Sequence, residues 1–178
     1  MTLKKLKTID IFIIFALCFL THSLYSWFPN NLFSIFFPVN ESIWEHMKMI
    51  FSAIMISGII DYFIIKKYDL PANNLIFSSF VTGLISIPIF LIIYLPIYSL
   101  IGENMILNFV VLFITIYFTQ IINYIILEKD NKKYLDILGI IGIIIIYIIF
   151  GFLTFNPPKN DLFYDQNENK YGINIYTI

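Results

Sequence analysis

The segment Asn40-Glu41-Ser42-Ile43-Trp44-Glu45-His46-Met47-Lys48 brings four ionisable side chains together at the start of a long apolar run. This run continues to Ile65 and is followed by two lysines. About 20 consecutive apolar residues suffice for a helix to cross a bilayer, so the stretch predicts a transmembrane helix. Ionisable side chains within such a helix are costly and mark a functional site by default. We therefore expect the function to reside in residues 40–48, which we call the motif segment.

The composition of the chain is typical of a membrane protein. Of its 178 residues, 59% are apolar and 13% are charged, whereas about a quarter of the residues in soluble domains are charged. All eleven basic residues are lysines, and the net charge of -1 provides no basic surface for nucleic acid. Cys18 is the only cysteine, which excludes an intrachain disulfide. Abundant Ile, Phe, Asn, Lys and Tyr are typical of AT-rich coding and indicate a bacterial protein of the cytoplasmic membrane.

Apolar runs of membrane-spanning length predict an all-α bundle of five transmembrane helices, embedded in the lipid bilayer. Their predicted ranges are residues 9–28, 41–65, 73–100, 105–127 and 134–155. Residues 1–155 thus form a transmembrane domain, and residues 156–178 form a tail. Asn40 has the chemistry of an N-cap for the second span, with Glu41 in the first turn. The run of residues 32–37 is too short to cross the membrane and predicts a turn of interfacial helix.

Lysine clusters at alternate ends of the spans predict the orientation of the chain. The clusters are Lys4, Lys5 and Lys7, then Lys66 and Lys67, and then Lys129, Lys132 and Lys133. By the positive-inside rule, the N-terminus is cytoplasmic and the tail lies outside. The basic start of the first span also fits a cleaved signal peptide, although residues 21–26 make a poor cleavage site. In the tail, residues 162–164 and 171–173 flank a polar turn and predict a small hairpin.

A helical arrangement of the second span separates its polar side chains from its apolar ones. At about 100° per residue, one half-circle holds the polar set, which is Glu41, Ser42, Glu45, His46 and Lys48. The other half-circle is apolar and is expected to face lipid, with members Ile43, Trp44, Met47, Ile50, Phe51, Ile54 and Met55. The polar face therefore predicts an outward-facing pocket in the outer third of the membrane, suited to a cation or a polar head group.

His22, near the outer end of the first span, is the predicted neighbour of this polar face. Two histidines and two carboxylates would then meet, a set that suits zinc, iron or manganese: His22, Glu41, Glu45 and His46. Glu41 and Glu45, four residues apart on a helix, repel each other. A metal ion, a proton or a partner is therefore needed to neutralise them. In the structural alternative, Glu45 pairs with Lys48, Glu41 stabilises the helix start and His46 makes a hydrogen bond.

Polar residues elsewhere favour helix packing. One face of the fourth span carries four of them, which are expected to hydrogen-bond across the bundle: Asn108, Thr115, Thr119 and Asn123. Asp10, Asp61 and Asp136 lie near the predicted cytoplasmic helix ends, where we expect water to solvate them.

Several segments near both ends of the chain form a recognisable pattern. They are residues 37–48, His22-Ser23-Leu24-Tyr25, Thr154-Phe155-Asn156-Pro157-Pro158, Leu162-Phe163, Asp165 and Tyr171-Gly172-Ile173. This pattern resembles a family of small bacterial integral-membrane proteins that is classed only as a domain of unknown function. The resemblance implies a multi-pass protein with a set of motif residues, which are Asn40, Glu41, Ser42, Trp44, Glu45 and His46, with His22 as a further member. It implies no activity.

Three functions stay open from the sequence. The first is a binding protein or small transporter-like subunit whose outward-facing pocket holds a cation, a polar head group or another small polar ligand. The second is a metal-dependent membrane enzyme, in which Glu45 or Glu41 is the general base and His22 and His46 are ligands or acids. The third is a structural or accessory subunit, in which the motif segment serves only helix docking.

Overall fold

The computed structural model describes residues 1–102 and 104–173, and it contains six helices within those residues. The helices are α1 (Leu3–Trp27), α2 (Asn31–Phe36), α3 (Ile43–Tyr68), α4 (Leu75–Ile101), α5 (Met105–Leu127) and α6 (Lys133–Phe155). All except α2 are long and apolar enough to cross a membrane. The predicted all-α bundle of five membrane-spanning helices is therefore confirmed, and the chain has the architecture of a multi-pass membrane protein. Glu103 and the end of the predicted tail, residues 174–178, lie outside the described residues.

The starts of α1 and α3 differ from the prediction. Helix α1 begins at Leu3, where the Thr2 hydroxyl accepts a hydrogen bond from the Lys5 backbone N–H. Helix α3 begins at Ile43, and its N-cap is Ser42. Asn40 as N-cap was a wrong prediction, because its side-chain oxygen accepts from the Ser42 N–H before the helix starts. The expected repulsion between two glutamates on one helix is also wrong, because Glu41 precedes α3.

Helix α3 lies at the centre of the bundle, packed against α1 and α4. The face of α3 predicted to contact lipid is buried, and four of its side chains are at most 2% exposed: Met47, Ile50, Phe51 and Ile54. That prediction was wrong because α3 has protein neighbours on both sides. The Phe51 ring packs edge-to-face on Phe150 of α6, with centroids 5.5 Å apart. An isolated helical wheel shows which residues share a face, but it does not show how many faces are covered.

The tail folds back onto the end of the bundle that carries the motif segment, which we call the motif end. Its strands β1 (Tyr164–Asp165) and β2 (Lys170–Tyr171) form an antiparallel pair, which confirms the predicted hairpin. The Trp44 backbone N–H donates to the carbonyl oxygen of Leu162 at 2.9 Å. The Trp44 ring stacks on Phe163, with centroids 4.9 Å apart. The tail is thus joined to the start of α3 by backbone and side-chain contacts.

Candidate metal centre

The ionisable side chains of the motif segment separate into two groups, and Glu45 and Lys48 form the first. Both side chains are buried, and Lys48 Nζ lies 2.5 Å from Glu45 Oε2. Lys48 Nζ also donates to the Ser34 carbonyl oxygen at 2.8 Å and to Thr154 Oγ1 at 2.7 Å. The ammonium group therefore has a complete set of three acceptors.

Glu45 is equally well satisfied. Its Oε2 accepts from the Val39 backbone N–H at 3.0 Å, and its Oε1 accepts from the Thr154 hydroxyl at 3.1 Å. A buried ion pair is tolerated when additional hydrogen bonds satisfy both partners, as they do here. The pair joins α3 to α2 and α6. Its geometry matches the structural alternative for Glu45 and Lys48, and it leaves neither group free for a ligand.

The second group consists of His22, Glu41 and His46, which converge from three different segments. His22 comes from the last part of α1, Glu41 from the bend before α3, and His46 from the first turn of α3. Glu41 Oε2 lies 3.2 Å from His22 Nε2 and 3.5 Å from His46 Nε2. One ligand atom from each residue lies within 4.8 Å of the other two. Of the four predicted metal ligands, the structure thus brings three together, while Glu45 binds Lys48.

Hydrogen bonding orients His46 for such a role. Its Nδ1 lies 2.9 Å from the carbonyl oxygen of Ser42, which can only accept a hydrogen bond. In the neutral imidazole, Nδ1 is therefore the protonated nitrogen and Nε2 carries the lone pair. That lone pair is on the side of the Glu41 carboxylate, so two acceptors face each other across 3.5 Å. A proton or a metal ion between them would relieve the repulsion.

Glu41 is held in place by the tail. Its backbone N–H donates to Asp165 Oδ2 at 3.0 Å, and Asp165 is fully buried. The other oxygen of Asp165 accepts from the backbone N–H groups of Asn167 and Glu168. A hydrogen bond from His22 lowers the pKa of the Glu41 carboxyl, because it favours the ionised form. Sequence reasoning missed this role of Asp165, although an Asp before a polar turn is a signal for such backbone hydrogen bonds.

The spacing of the three ligand atoms suits a metal ion. An ion bound tetrahedrally at about 2.1 Å from each ligand keeps those atoms about 3.4 Å apart. The two separations from Glu41 Oε2, 3.2 and 3.5 Å, lie on either side of this value. Two imidazoles and one carboxylate are ligands for zinc in hydrolytic enzymes and for non-haem iron. The arrangement can therefore hold either ion with at least one coordination position open.

A cavity of about 450 Å³ adjoins the three residues. Its walls are largely apolar, with Phe90, Phe109 and Leu112 from α4 and α5 among the lining residues. The tail contributes polar side chains, including Gln166 and Asn167. Three residues of the predicted polar face do not line this cavity: Ser42, Glu45 and Lys48. Ser42 caps α3 through a hydrogen bond from the Glu45 N–H.

The remaining polar predictions have mixed outcomes. Asn108 lines the cavity, and the Asn123 amide donates to Thr82 on α4, as expected for a bond across the bundle. The hydroxyls of Thr115 and Thr119 bond to carbonyl oxygens of their own helix instead. A hydroxyl in a helix finds an acceptor three or four residues earlier, so it has no need of another helix.

The prediction that water solvates Asp10 and Asp61 was wrong. Both are buried, at 0% and 1% exposure, and both contact Lys7. Asp136 is half-buried, and its Oδ1 accepts from the backbone N–H groups of Ile76 and Phe77 at the start of α4. The three aspartates lie close to helix ends, but tertiary packing covers the first two.

Comparisons with known proteins give one result for the chain as a whole. No curated protein and no solved structure is significantly similar to it. The model of one protein family matches residues 1–173, which is nearly the whole chain. The chain therefore belongs to a family of unknown function, DUF6512.

Proposed function

We propose that this membrane protein binds a divalent transition metal ion through His22, Glu41 and His46. The observation that carries the proposal is the convergence of two imidazole nitrogens on one carboxylate oxygen, at separations that suit a tetrahedral ion. The hydrogen bond from His46 to Ser42 supports it, because metal-bound histidines generally donate their other ring N–H to a fixed acceptor. The lysine distribution favours the outer side of a bacterial cytoplasmic membrane for this site.

The exposure of the three side chains supports a site that exchanges its ion or its ligand. The Glu41 side chain is 43% exposed, and those of His22 and His46 are 36% and 26% exposed. Structural zinc sites are closed by four protein ligands, whereas catalytic ones have three and keep a position for water or substrate. His22, Glu41 and His46 supply three ligands beside a cavity, so their arrangement matches the catalytic kind of site.

A second candidate function is a metal-dependent membrane enzyme, and the cavity favours it. An amphipathic molecule could place an apolar chain along Phe90 and Leu112 and its polar group beside Glu41. A metal ion there would polarise a substrate oxygen and lower the pKa of a bound water. Glu45 is not available as a general base in this scheme, because Lys48 and Thr154 occupy its oxygens. Hydrolysis of a lipid-like substrate is the reaction class that fits.

Metal analysis of the full chain in detergent tests the binding proposal. Wild type, equilibrated separately with zinc, iron(II) or manganese(II) and then desalted, should retain about one ion per chain of at least one of these metals. The double variant His22→Ala/His46→Ala should retain none, while the control Glu168→Gln, which changes an exposed carboxylate of the tail, should behave as wild type. A folded wild type that retains no zinc, iron or manganese would overturn the proposal and favour a structural subunit.

The enzymatic candidate needs a separate experiment. Zinc-loaded wild type and Glu41→Gln are incubated with phospholipid nanodiscs, and the lipids are then analysed by mass spectrometry. A hydrolysis product that forms only with the wild type supports the enzyme. If zinc binds but no product forms, phospholipid hydrolysis is excluded, and metal binding alone is the function supported.

A further inference from the structure

A second group of charged side chains lies at the opposite end of the bundle from the metal centre. Lys7 and Asp10 on α1 meet Asp61 on α3, and we call these three residues the ion triad. Lys7 Nζ is 2.9 Å from Asp10 Oδ2, and it donates a hydrogen bond to Asp61 Oδ2. Because both carboxylates contact the same ammonium group, they are immediate neighbours. The three side chains are at most 5% exposed.

Apolar residues separate the ion triad from water on the side of the helix ends. Leu3, Leu6, Leu70 and Leu127 form a buried cluster at this end of the bundle. Asp10 is seven residues from the start of α1, which corresponds to about 10 Å along the axis. Towards the middle of the membrane, the next buried residues of α1 belong to the main apolar core. The ion triad is therefore enclosed between two apolar layers.

The charges of the ion triad do not balance when every group is ionised. Two carboxylates and one ammonium carry a net charge of minus one, and an uncompensated charge inside a membrane span is costly. Asp10 Oδ1 and Asp61 Oδ1 are buried without a hydrogen-bond partner among the described residues, and the contact of Asp10 Oδ2 with Lys7 lacks hydrogen-bond geometry. All three atoms are acceptors. The site therefore lacks one positive charge that also donates a hydrogen bond.

We propose that Asp10 and Asp61 share one exchangeable proton, so that the ion triad is electrically neutral within the membrane. The proton comes from water and forms an O–H bond to one carboxylate, and this O–H group donates to the other carboxylate. Two carboxylates in contact cannot both ionise without a large cost, and one bound proton removes that cost. On its release, the proton returns to water, and both carboxylates are then ionised and in contact with Lys7.

A proton fits this place better than a metal ion. Lys7 already contacts both carboxylates, so a sodium ion bound between them would lie close to an ammonium group and be repelled. The electrostatic neighbours of Asp10 are Lys7 and Asp61. The buried Thr82 of α4 and Asn123 of α5 are neutral and hydrogen-bond to each other.

Tyr124 and Glu128 are titratable groups nearer the helix ends, and they pair with each other. Tyr124 of α5 packs on the leucine cluster, and its hydroxyl donates to Glu128 at the end of that helix. These two side chains therefore satisfy each other rather than the ion triad. The unbalanced negative charge of the ion triad therefore stays on Asp10 and Asp61.

Infrared difference spectroscopy of the full chain in nanodiscs tests the proposal. At neutral pH the wild type should show a C=O stretching band of a protonated carboxyl group, which shifts in D₂O and disappears in alkaline buffer. Asp10→Asn and Asp61→Asn should each lose this band, because the one remaining carboxylate is neutralised by Lys7. The control Asp69→Asn should keep the band, since Asp69 is exposed and its left-handed backbone conformation suits Asn.

The outcomes separate the proton from its alternatives. A wild type without the band throughout the pH range, or a band that persists in both single variants, would overturn the proposal. A band that sodium chloride abolishes at constant pH and ionic strength would overturn it in favour of a sodium site. Folding is checked by thermal unfolding: each single variant should melt near the wild type, whereas Asp10→Asn/Asp61→Asn should melt lower because it leaves Lys7 unpaired.

Discussion

His46 Nδ1 lies 2.9 Å from the carbonyl oxygen of Ser42, one turn earlier in the chain. This single contact directs the other nitrogen of the ring towards Glu41 and the cavity. It also separates two properties that mutagenesis can address independently, which are the hydrogen bond that holds the side chain and the nitrogen atom available to a metal.

Replacement of His46 by Asn should remove the metal ligand and keep the hydrogen bond, because the Asn amide can donate to Ser42 in place of Nδ1. Loss of a directly bound ligand should weaken zinc binding by more than the about 10–100-fold that loss of a supporting residue costs. Competition with a chelating dye measures the affinity. The melting temperature without metal should stay close to the wild-type value, and an unchanged zinc affinity would contradict the assignment of His46.

Asp165→Ala should weaken metal binding although Asp165 is not a ligand. The substitution removes the acceptor of the Glu41 N–H and of two N–H groups in the hairpin turn. Glu41 then loses its fixed position, and a loss of about 10–100-fold in zinc affinity is expected. The same dye competition measures it, with Lys159→Ala, an exposed residue of the same tail that does not line the cavity, as control. Equal effects of both substitutions would show that Asp165 does not position the site.

Lys48→Met should destabilise the protein by about 3–5 kcal/mol, because it leaves the buried carboxylate of Glu45 without its cation. The double variant Lys48→Met/Glu45→Gln should recover much of this loss, since no charge then stays buried. Lys170→Met is the matched control, because it breaks an exposed pair with Glu168 that is worth about 0–1 kcal/mol. Denaturant unfolding in detergent measures all three. A double variant no more stable than Lys48→Met would contradict this account of the pair.

Gly172→Ala should detach the tail from the bundle. Gly172 has a φ of 55°, and a Cβ at this position would lie 2.3 Å from the carbonyl oxygen of Thr154. Gly102→Ala is the control, because Gly102 also has a positive φ but a Cβ there meets no atom within 4 Å. Both variants carry the strain of a non-glycine residue at positive φ, about 1–3 kcal/mol, and only Gly172→Ala has the clash. Hydrogen exchange of residues 162–171 should therefore rise in Gly172→Ala and not in Gly102→Ala.

Local properties of the sequence were sufficient for the membrane-spanning helices. A helix satisfies its own backbone hydrogen bonds, so the length of an apolar run is enough to predict a span, as it did for Met105–Leu127. The hairpin around Asp165 was predictable for a similar reason, because its turn residues act on their own backbone. The motif segment was also recognisable as a candidate site, since ionisable side chains within a membrane span are rare.

The choice among its side chains depended on contacts between segments far apart in the chain. Glu45 was a plausible ligand until Ser34 and Thr154, from α2 and α6, proved to complete an ion pair with Lys48. Glu41 reached the histidines because Asp165 holds its backbone outside the helix. The sequence thus determined which residues lie at the motif end, through the length and periodicity of each span. Only the tertiary structure decided which of them are neutralised by partners and which remain free for a ligand, because that depends on the side chains that other helices bring within hydrogen-bond distance.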